Sequence, residues 1–424
     1  MSGGNTFVGF GFGAIQAGLF LYEAHRTGRF SRLVAAEVQP EVLEALRGAG
    51  NRFSVNIAHA DRIEVAEVGP VELLNPNDDG DREQLIEAIA EASEMATALP
   101  SVAFYASSHP GAPHALLAEG LARKSLRRLP PAVLYAAENH NHAAEILGRQ
   151  VEHNNPDYAD RCQFLNTVIG KMSGIVPLSG NTNPSLAPIA PGLDRAFLVE
   201  TFNRILVSAV TLRFGGNPIR RCIDVFEEKP DLLPFEEAKL YGHNAIHAMG
   251  GYLASLLDMT TFDQLTSRPD LMALLRDAFV EESGAALVTK YAGKDALFTR
   301  DGFAFYADDL LQRMTNPYLG DAIERVTRDT ARKLGWDDRL IGAMRVARSQ
   351  GFTPTRLALG AAAALCTIDT GFAARPEDGT SWLRQHFPSE IRDAIECQQI
   401  LHTVGDALKK IDAWRADTRN SLMA

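Results

Sequence analysis

Three residues in one stretch have side chains suited to moving a proton at a hydroxyl group. Lys239, Asn244 and His247 lie within Phe235–Leu257, a segment with helical character. At about 100° per residue they fall within an arc of about 140°, with His247 between the other two. One helix then offers an amine, an amide and an imidazole to one cavity. Alone, each has a plainer reading as a solvated Lys, a capping Asn or a core His. A second region carries different chemistry. Gly9-Phe10-Gly11-Phe12-Gly13-Ala14 follows a strand-like run and opens a helix. Glycines there let a dinucleotide pyrophosphate approach the backbone and rest on the helix N-terminus. Two registers fit: Gly9-x-Gly11-x-x-Ala14, or Gly11-x-Gly13 with Gln16 in the third position. The next strand ends at Glu37. An acid there accepts hydrogen bonds from the ribose hydroxyls and repels a 2′-phosphate, which favours NAD over NADP.

The elements that must hold these residues divide into two textures. The first third alternates strands and helices. Thr6–Phe10, Leu33–Val38, Val102–Ala106 and Ala132–Ala136 read as strands, and Ala14–Ala24, Pro40–Ala49 and His114–Lys124 as helices. Such alternation predicts a parallel, doubly wound Rossmann-like α/β sheet. From about Leu232 strand signals become scarce and long amphipathic stretches take over. We expect a dinucleotide-binding domain over 1–230 and a mostly α-helical substrate domain over 231–424, with an Asn- and Pro-rich loop at Ser179–Gly192.

Composition narrows the class. With 424 residues and a hydrophobic content of 46%, the chain has enough apolar side chains for more than one core. A formal net charge of −11 argues against a nucleic-acid surface, though not against a local basic pocket. No apolar run approaches the roughly 20 residues that span a bilayer, and the N-terminus has no basic leader. The four cysteines form no CxxC pair, which suits a reducing cytoplasm.

Beyond these motifs, the chain resembles the polyol-specific long-chain dehydrogenases, the mannitol dehydrogenase family. The family signature K-x-x-x-x-N-x-x-H is matched by Lys239-Leu-Tyr-Gly-His-Asn244-Ala-Ile-His247. Gly11-Phe-Gly13-Ala14-Ile15-Gln16 aligns with its opening turn and favours the second register. Ala137-Glu138-Asn139, Glu281-Glu282-Ser283-Gly284-Ala285 and Asn316-Pro317-Tyr318-Leu319 match further blocks in order. The resemblance implies a metal-independent hydride transfer between NAD and a sugar alcohol in a cleft between the domains. Lys239 would be the general base, Asn139 and Asn244 would stabilise the developing oxyanion, and His247 would orient the hydroxyl. Gly11, Gly13, Ala14, Ile15 and Glu37 would hold the cofactor. Ser107, in a loop after a strand end, would be a further cofactor contact.

Arg325, Arg328, Arg332, Lys333 and Arg339 resemble the sugar-alcohol-phosphate branch, with Arg332, Lys333 and Arg339 the first choices for a phosphate. Asp321, Glu324, Asp329, Asp337 and Asp338 are intermixed, so a solvated charged face is the competing reading. The family's Asp-Arg pair before Ile-x-Pro is replaced by Ser173-Gly174. That departure leaves open a free polyol, a hexuronate, an epimerase with tightly held NAD, or a non-catalytic NAD sensor. No metal is expected at Asn139-His140-Asn141-His142 with His153, whose spacing suits no stable ligand set. The expected partner is a small molecule, for a monomer or homodimer.

Overall fold

The structure is a computed structural model that describes residues 4–179, 186–416 and 422. Residues 180–185 of the Ser179–Gly192 loop lie outside the described residues. The backbone divides into two compact units, Met1–Leu233 and Pro234–Ala424.

The first unit is built on an eight-stranded sheet. Its spatial order is Phe226–Lys229, Ile205–Ser208, Cys162–Val168, Ala132–Ala136, Ala92–Thr97, Asn5–Phe10, Phe30–Ala36 and Glu72–Leu74. All neighbouring pairs are parallel except Cys162–Val168 with Ile205–Ser208. From the first strand the chain winds outward to Phe30–Ala36 and Glu72–Leu74, then returns to Ala92–Thr97 on the other side. The direction of winding therefore reverses beside Asn5–Phe10. In such sheets the crevice at this reversal, at the carboxyl ends of the strands, is where ligands bind. Parallel strands covered on both faces need continuous apolar runs. Phe7, Val8 and Phe10 of the first strand, and Val133, Leu134 and Tyr135 of Ala132–Ala136, are accordingly buried.

Two features of this unit differ from the sequence expectation. Val102–Phe104 is a short 3₁₀ turn opened by Ser101, whose Oγ accepts from Ala103 N at 3.2 Å, and not a strand. The strand lies earlier, at Ala92–Thr97. Its sequence, ASEMAT, is too poor in bulky apolar residues to announce itself. A second, four-stranded sheet also forms, ordered Ile63–Val68, Phe53–Ala58, Arg195–Glu200 and Ser173–Pro177. The Ser173-Gly174 departure opens its last strand.

The second unit is helical. Asn244–Ser255 packs on Thr355–Ile368, whose central Leu357–Cys366 run is wholly buried. Among the described residues three helical segments loosen into π-turns: Gln16–Leu21 in the first unit, and Ala238–His243 and Ala278–Gly284 in the second. Turns of this kind are rare and collect at functional sites. Among the described residues no helix is long and apolar enough to cross a membrane.

Candidate active site

The glycine turn occupies the switch point of the large sheet. Gly11 N donates to Ala36 O at 3.1 Å, and Ala98 N donates to Phe10 O at 3.1 Å, so the turn is fastened to both neighbouring strand ends. Gly11 has φ +88°, and a Cβ there would come 3.1 Å from Ala98 O. Only glycine meets both conditions comfortably. Phe12 anchors the turn from below. Its ring packs edge-on against Phe53 at 5.0 Å and Phe197 at 5.5 Å, both from the smaller sheet. Around Gly13 there is open space, and Ala14 and Ile15 lead directly into the helical segment.

Gln16, in the third glycine position, is fully buried, and neither amide atom has a hydrogen-bond partner among the described residues. A Cβ on Gly9 would collide with this amide. The glycine that usually permits close helix–strand approach has in effect moved onto the strand.

Glu37 is buried at the end of Phe30–Ala36. One carboxylate oxygen, Oε1, accepts from Val38 N at 2.6 Å and Gln39 N at 2.8 Å. Those bonds fix the side chain before any ligand arrives. Ser107 is exposed in the loop beyond the 3₁₀ turn, and its Oγ accepts from His109 N at 3.2 Å. Asn139 is exposed just past the end of Ala132–Ala136. Its neighbour Glu138 is buried and fastens this edge. It accepts from Thr97 Oγ1 at 2.9 Å, from Leu99 N at 2.9 Å and from the Tyr105 hydroxyl. Burial raises the Glu138 pKa despite these donors.

Lys239, Asn244 and His247 are brought together by the π-turn. The Asn244 N–H donates to the Lys239 carbonyl, five residues back. A regular α-helix would set these two about 140° apart. The wider turn advances about 80° per residue, which returns Asn244 to roughly 40° from Lys239. His247 follows three residues later in α-geometry, so all three span roughly 60°. The x₄ spacing that looks awkward on an α-helix is natural on this one.

Lys239 is partly buried, and its pKa is lowered to about 8. Desolvation is the main cause, and the Arg339 guanidinium adds to it. His243, one turn on from Lys239, is also buried. Burial, with the neighbouring His247 imidazole and the charges of Arg313, Lys239 and Arg339, holds it well below the usual histidine range.

His247 has a partner that the sequence did not reveal. Its Nε2 lies 2.8 Å from Asp321 Oδ2, and its ring packs edge-on against Phe262 at 4.9 Å. Asp321 Oδ1 in turn accepts from Arg325 Nε at 2.8 Å and Nη2 at 2.5 Å. Burial alone would raise the Asp321 pKa, but His247 and Arg325 together hold it below the ordinary value. Asp321 looked like one of several acids balancing a basic face. Its imidazole partner is distant in sequence, and no local pattern links them.

The cationic residues share a cavity with Asn244 and His247, while Lys239 is not among the residues that line it. A cavity of about 170 Å³ is lined by Asn244 and His247 together with Arg325, Arg328, Arg332, Lys333 and Arg339. Asp338 reaches Arg339 Nε at 2.8 Å and Arg332 Nη1 at 3.2 Å, and so steers both guanidinium groups. Lys333 is buried and donates to the Arg328 carbonyl. Desolvation first, then Arg339 and Arg332, lower its pKa to about 8.

Glu282 proves to have a different task. Its buried carboxylate accepts from Arg356 N at 2.8 Å and Leu357 N at 2.9 Å, capping the helix Thr355–Ile368.

A doubly wound sheet with a glycine turn at its switch point, joined in one chain to a helical unit bearing this Lys, Asn and His, defines a dehydrogenase class. Comparison with known proteins makes the assignment specific. The family model described as "Mannitol dehydrogenase C-terminal domain" matches residues 231–378. A mannitol-1-phosphate 5-dehydrogenase of Bacillus licheniformis is 30% identical over 338 residues, covering 78% of this chain and 80% of the relative. One from an Exiguobacterium species is 28% identical over 400 residues, covering 94% and 91%. Among solved structures, Pseudomonas fluorescens mannitol 2-dehydrogenase, in a ternary complex with NAD and D-mannitol, matches with a TM-score of 0.66 at 15% identity, covering 100% of this chain and 94% of that one. A D-sorbitol dehydrogenase in substrate-free form gives 0.71 at 12% identity, covering 99% and 96%. The chain belongs to the mannitol dehydrogenase family.

Proposed function

We propose that this protein is an NAD-dependent dehydrogenase that interconverts a sugar-alcohol phosphate, such as mannitol 1-phosphate, with the matching keto-sugar phosphate. One observation carries the phosphate reading: Asn244 and His247 open into the same cavity as five cationic side chains. A phosphate dianion favours such a mixture of guanidinium and ammonium donors. Arg332, Lys333 and Arg339 are its proposed principal partners. The names of the curated relatives point the same way.

The first unit suits the cofactor. The positive φ of Gly11, the close approach to Ala98 O and the open space at Gly13 make a cradle that a Cβ would fill. Gly11, Gly13, Ala14 and Ile15 would hold the pyrophosphate, Glu37 the adenosine ribose, and Ser107 the nicotinamide side. Bound NAD supplies the hydride acceptor. In oxidation, Lys239 in its uncharged form takes the hydroxyl proton. Asn244, with Asn139, donates to the substrate oxygen as negative charge builds, an effect typically worth about 3–4 kcal/mol per donor. His247 orients the hydroxyl. In reduction the Lys239 ammonium returns the proton. A base of this kind needs no metal-bound hydroxide, and we propose none. A pKa of about 8 supports the role, because a usable fraction of the amine is neutral near physiological pH.

A carboxylate would also suit the cationic cavity, so a hexuronate is the second reading. An NADH-linked screen of sugar-alcohol phosphates, free polyols and hexuronates on the purified protein decides. The proposal expects the best kcat/KM with a phosphorylated alcohol. A hexuronate preferred by tenfold or more would replace it, and no turnover of any alcohol would remove the enzyme reading.

A further inference from the structure

Asp321 stands where the hydroxyl end of the site meets the anion end. Its Oδ2 lies 2.8 Å from His247 Nε2, and its Oδ1 takes both Arg325 donors. His247 and Arg325 both line the cavity. We propose that Asp321 is a positioning residue that couples the two ends, so that an anion in the cationic cavity aligns His247 and speeds turnover, beyond merely holding the substrate. The inference rests on the phosphate reading above.

The Asp321 backbone is fixed: its carbonyl accepts from Phe262 N at 2.9 Å, and its neighbour Ala322 bridges to Thr261. The His247 ring is braced by Phe262 on one side. The side chain of Arg325, 47% exposed, is the loose member of the trio. His247 Nε2 and Asp321 Oδ2 approach closely, yet neither has an aligned hydrogen-bond partner among the described residues. A phosphate dianion competes for the Arg325 guanidinium. Drawing Arg325 away leaves His247 as the remaining partner of a buried carboxylate, and an unpaired buried charge is costly. The carboxylate then settles on the imidazole and fixes its orientation. Binding energy from the non-reacting end is in this way spent at the reacting carbon.

The test separates the two ends of the substrate. The holoenzyme oxidises an unphosphorylated sugar alcohol with and without saturating inorganic phosphate, while calorimetry follows phosphate binding. The wild-type kcat/KM for the free alcohol should rise at least tenfold with phosphate. Asp321→Asn should still bind phosphate, since Arg325 is released, yet show less than twofold activation. Its melting temperature and NADH affinity check its folding. Should that variant fail to fold, Arg325→Lys, which keeps the charge and loses the fork, should also lose the activation. If phosphate does not bind the wild type, the phosphate reading falls and the coupling falls with it. If phosphate binds without activating, or activates Asp321→Asn equally, the coupling is wrong and the phosphate cavity stands.

Discussion

Replacing Lys239 by Met should abolish activity and stabilise the protein. In an unfolded chain the amine keeps its proton up to about pH 10.4. In the fold it does so only up to about 8, chiefly because burial disfavours the ammonium. Folding at neutral pH therefore carries a cost for holding a charged amine in a desolvated place. The gap of about 2.4 pH units corresponds to about 3 kcal/mol. That cost is fully present below pH 8, shrinks as pH rises between the two values, and vanishes above the unfolded value. Methionine fills a similar volume without the charge. Lys239→Met should then gain up to about 3 kcal/mol at pH 7, less whatever packing it loses. Urea unfolding of the wild type and the variant, at pH 7 and again near pH 10, measures it. The gain should be clear at pH 7 and largely gone near pH 10. A variant that is less stable at both values, or whose gain ignores pH, would refute the picture of a strained, desolvated base. NADH binding should survive in either case, because the proposed cradle lies in the other unit.

Three further outcomes follow from particular contacts. Glu37→Ser should relax the discrimination against NADP, measured as the ratio of kcat/KM values. It should also cost about 1 kcal/mol through the lost bonds to Val38 N and Gln39 N; an unchanged ratio would remove the ribose role. Arg332→Ala should raise KM for a phosphorylated alcohol about 10- to 100-fold, the loss of one charge-assisted contact, while sparing the free polyol; Arg339→Ala should do the same to KM and also move the acidic limb of the pH profile upward with both substrates, because its charge helps lower the Lys239 pKa. Equal losses on both substrates would point to general damage. Glu282→Ala uncaps the helix Thr355–Ile368 and leaves buried amides unpaired, so unfolding should cost about 2–4 kcal/mol less. A stability change under 1 kcal/mol would show that those amides find other partners.

Much of this molecule was legible in the sequence where a local pattern coincided with a local cause. The strand, the glycine turn and the following helix are contiguous, so the turn could be read from a single short run, although Gly11 alone of its three glycines has a positive φ. Ala132–Ala136 reads as a buried parallel strand because every residue in it is apolar. The smaller sheet was invisible for the opposite reason. Ile63–Val68 carries Glu64 and Glu67, and Arg195–Glu200 pairs with strands far away in sequence. The helix bearing Lys239, Asn244 and His247 was found but drawn with the wrong pitch. A constant 100° per residue cannot register a π-turn, so Asn244 was set too far round from Lys239. Asp321 was counted as a balancing acid, since only the fold brings it to His247. Lys333 read as a phosphate ligand, and nothing in the local pattern showed that it is buried with its amine donating to the Arg328 carbonyl.

Whether Lys239 acts as the base is tested most directly by the pH dependence of alcohol oxidation. With NAD saturating, kcat/KM should climb on the acidic side with a midpoint near 8 as the amine loses its proton. Lys239→Ala should lose most of its kcat, and its residual rate should lack that limb. A wild-type midpoint in the ordinary histidine range, or a Lys239→Ala enzyme that keeps both its rate and the same limb, would contradict the assignment.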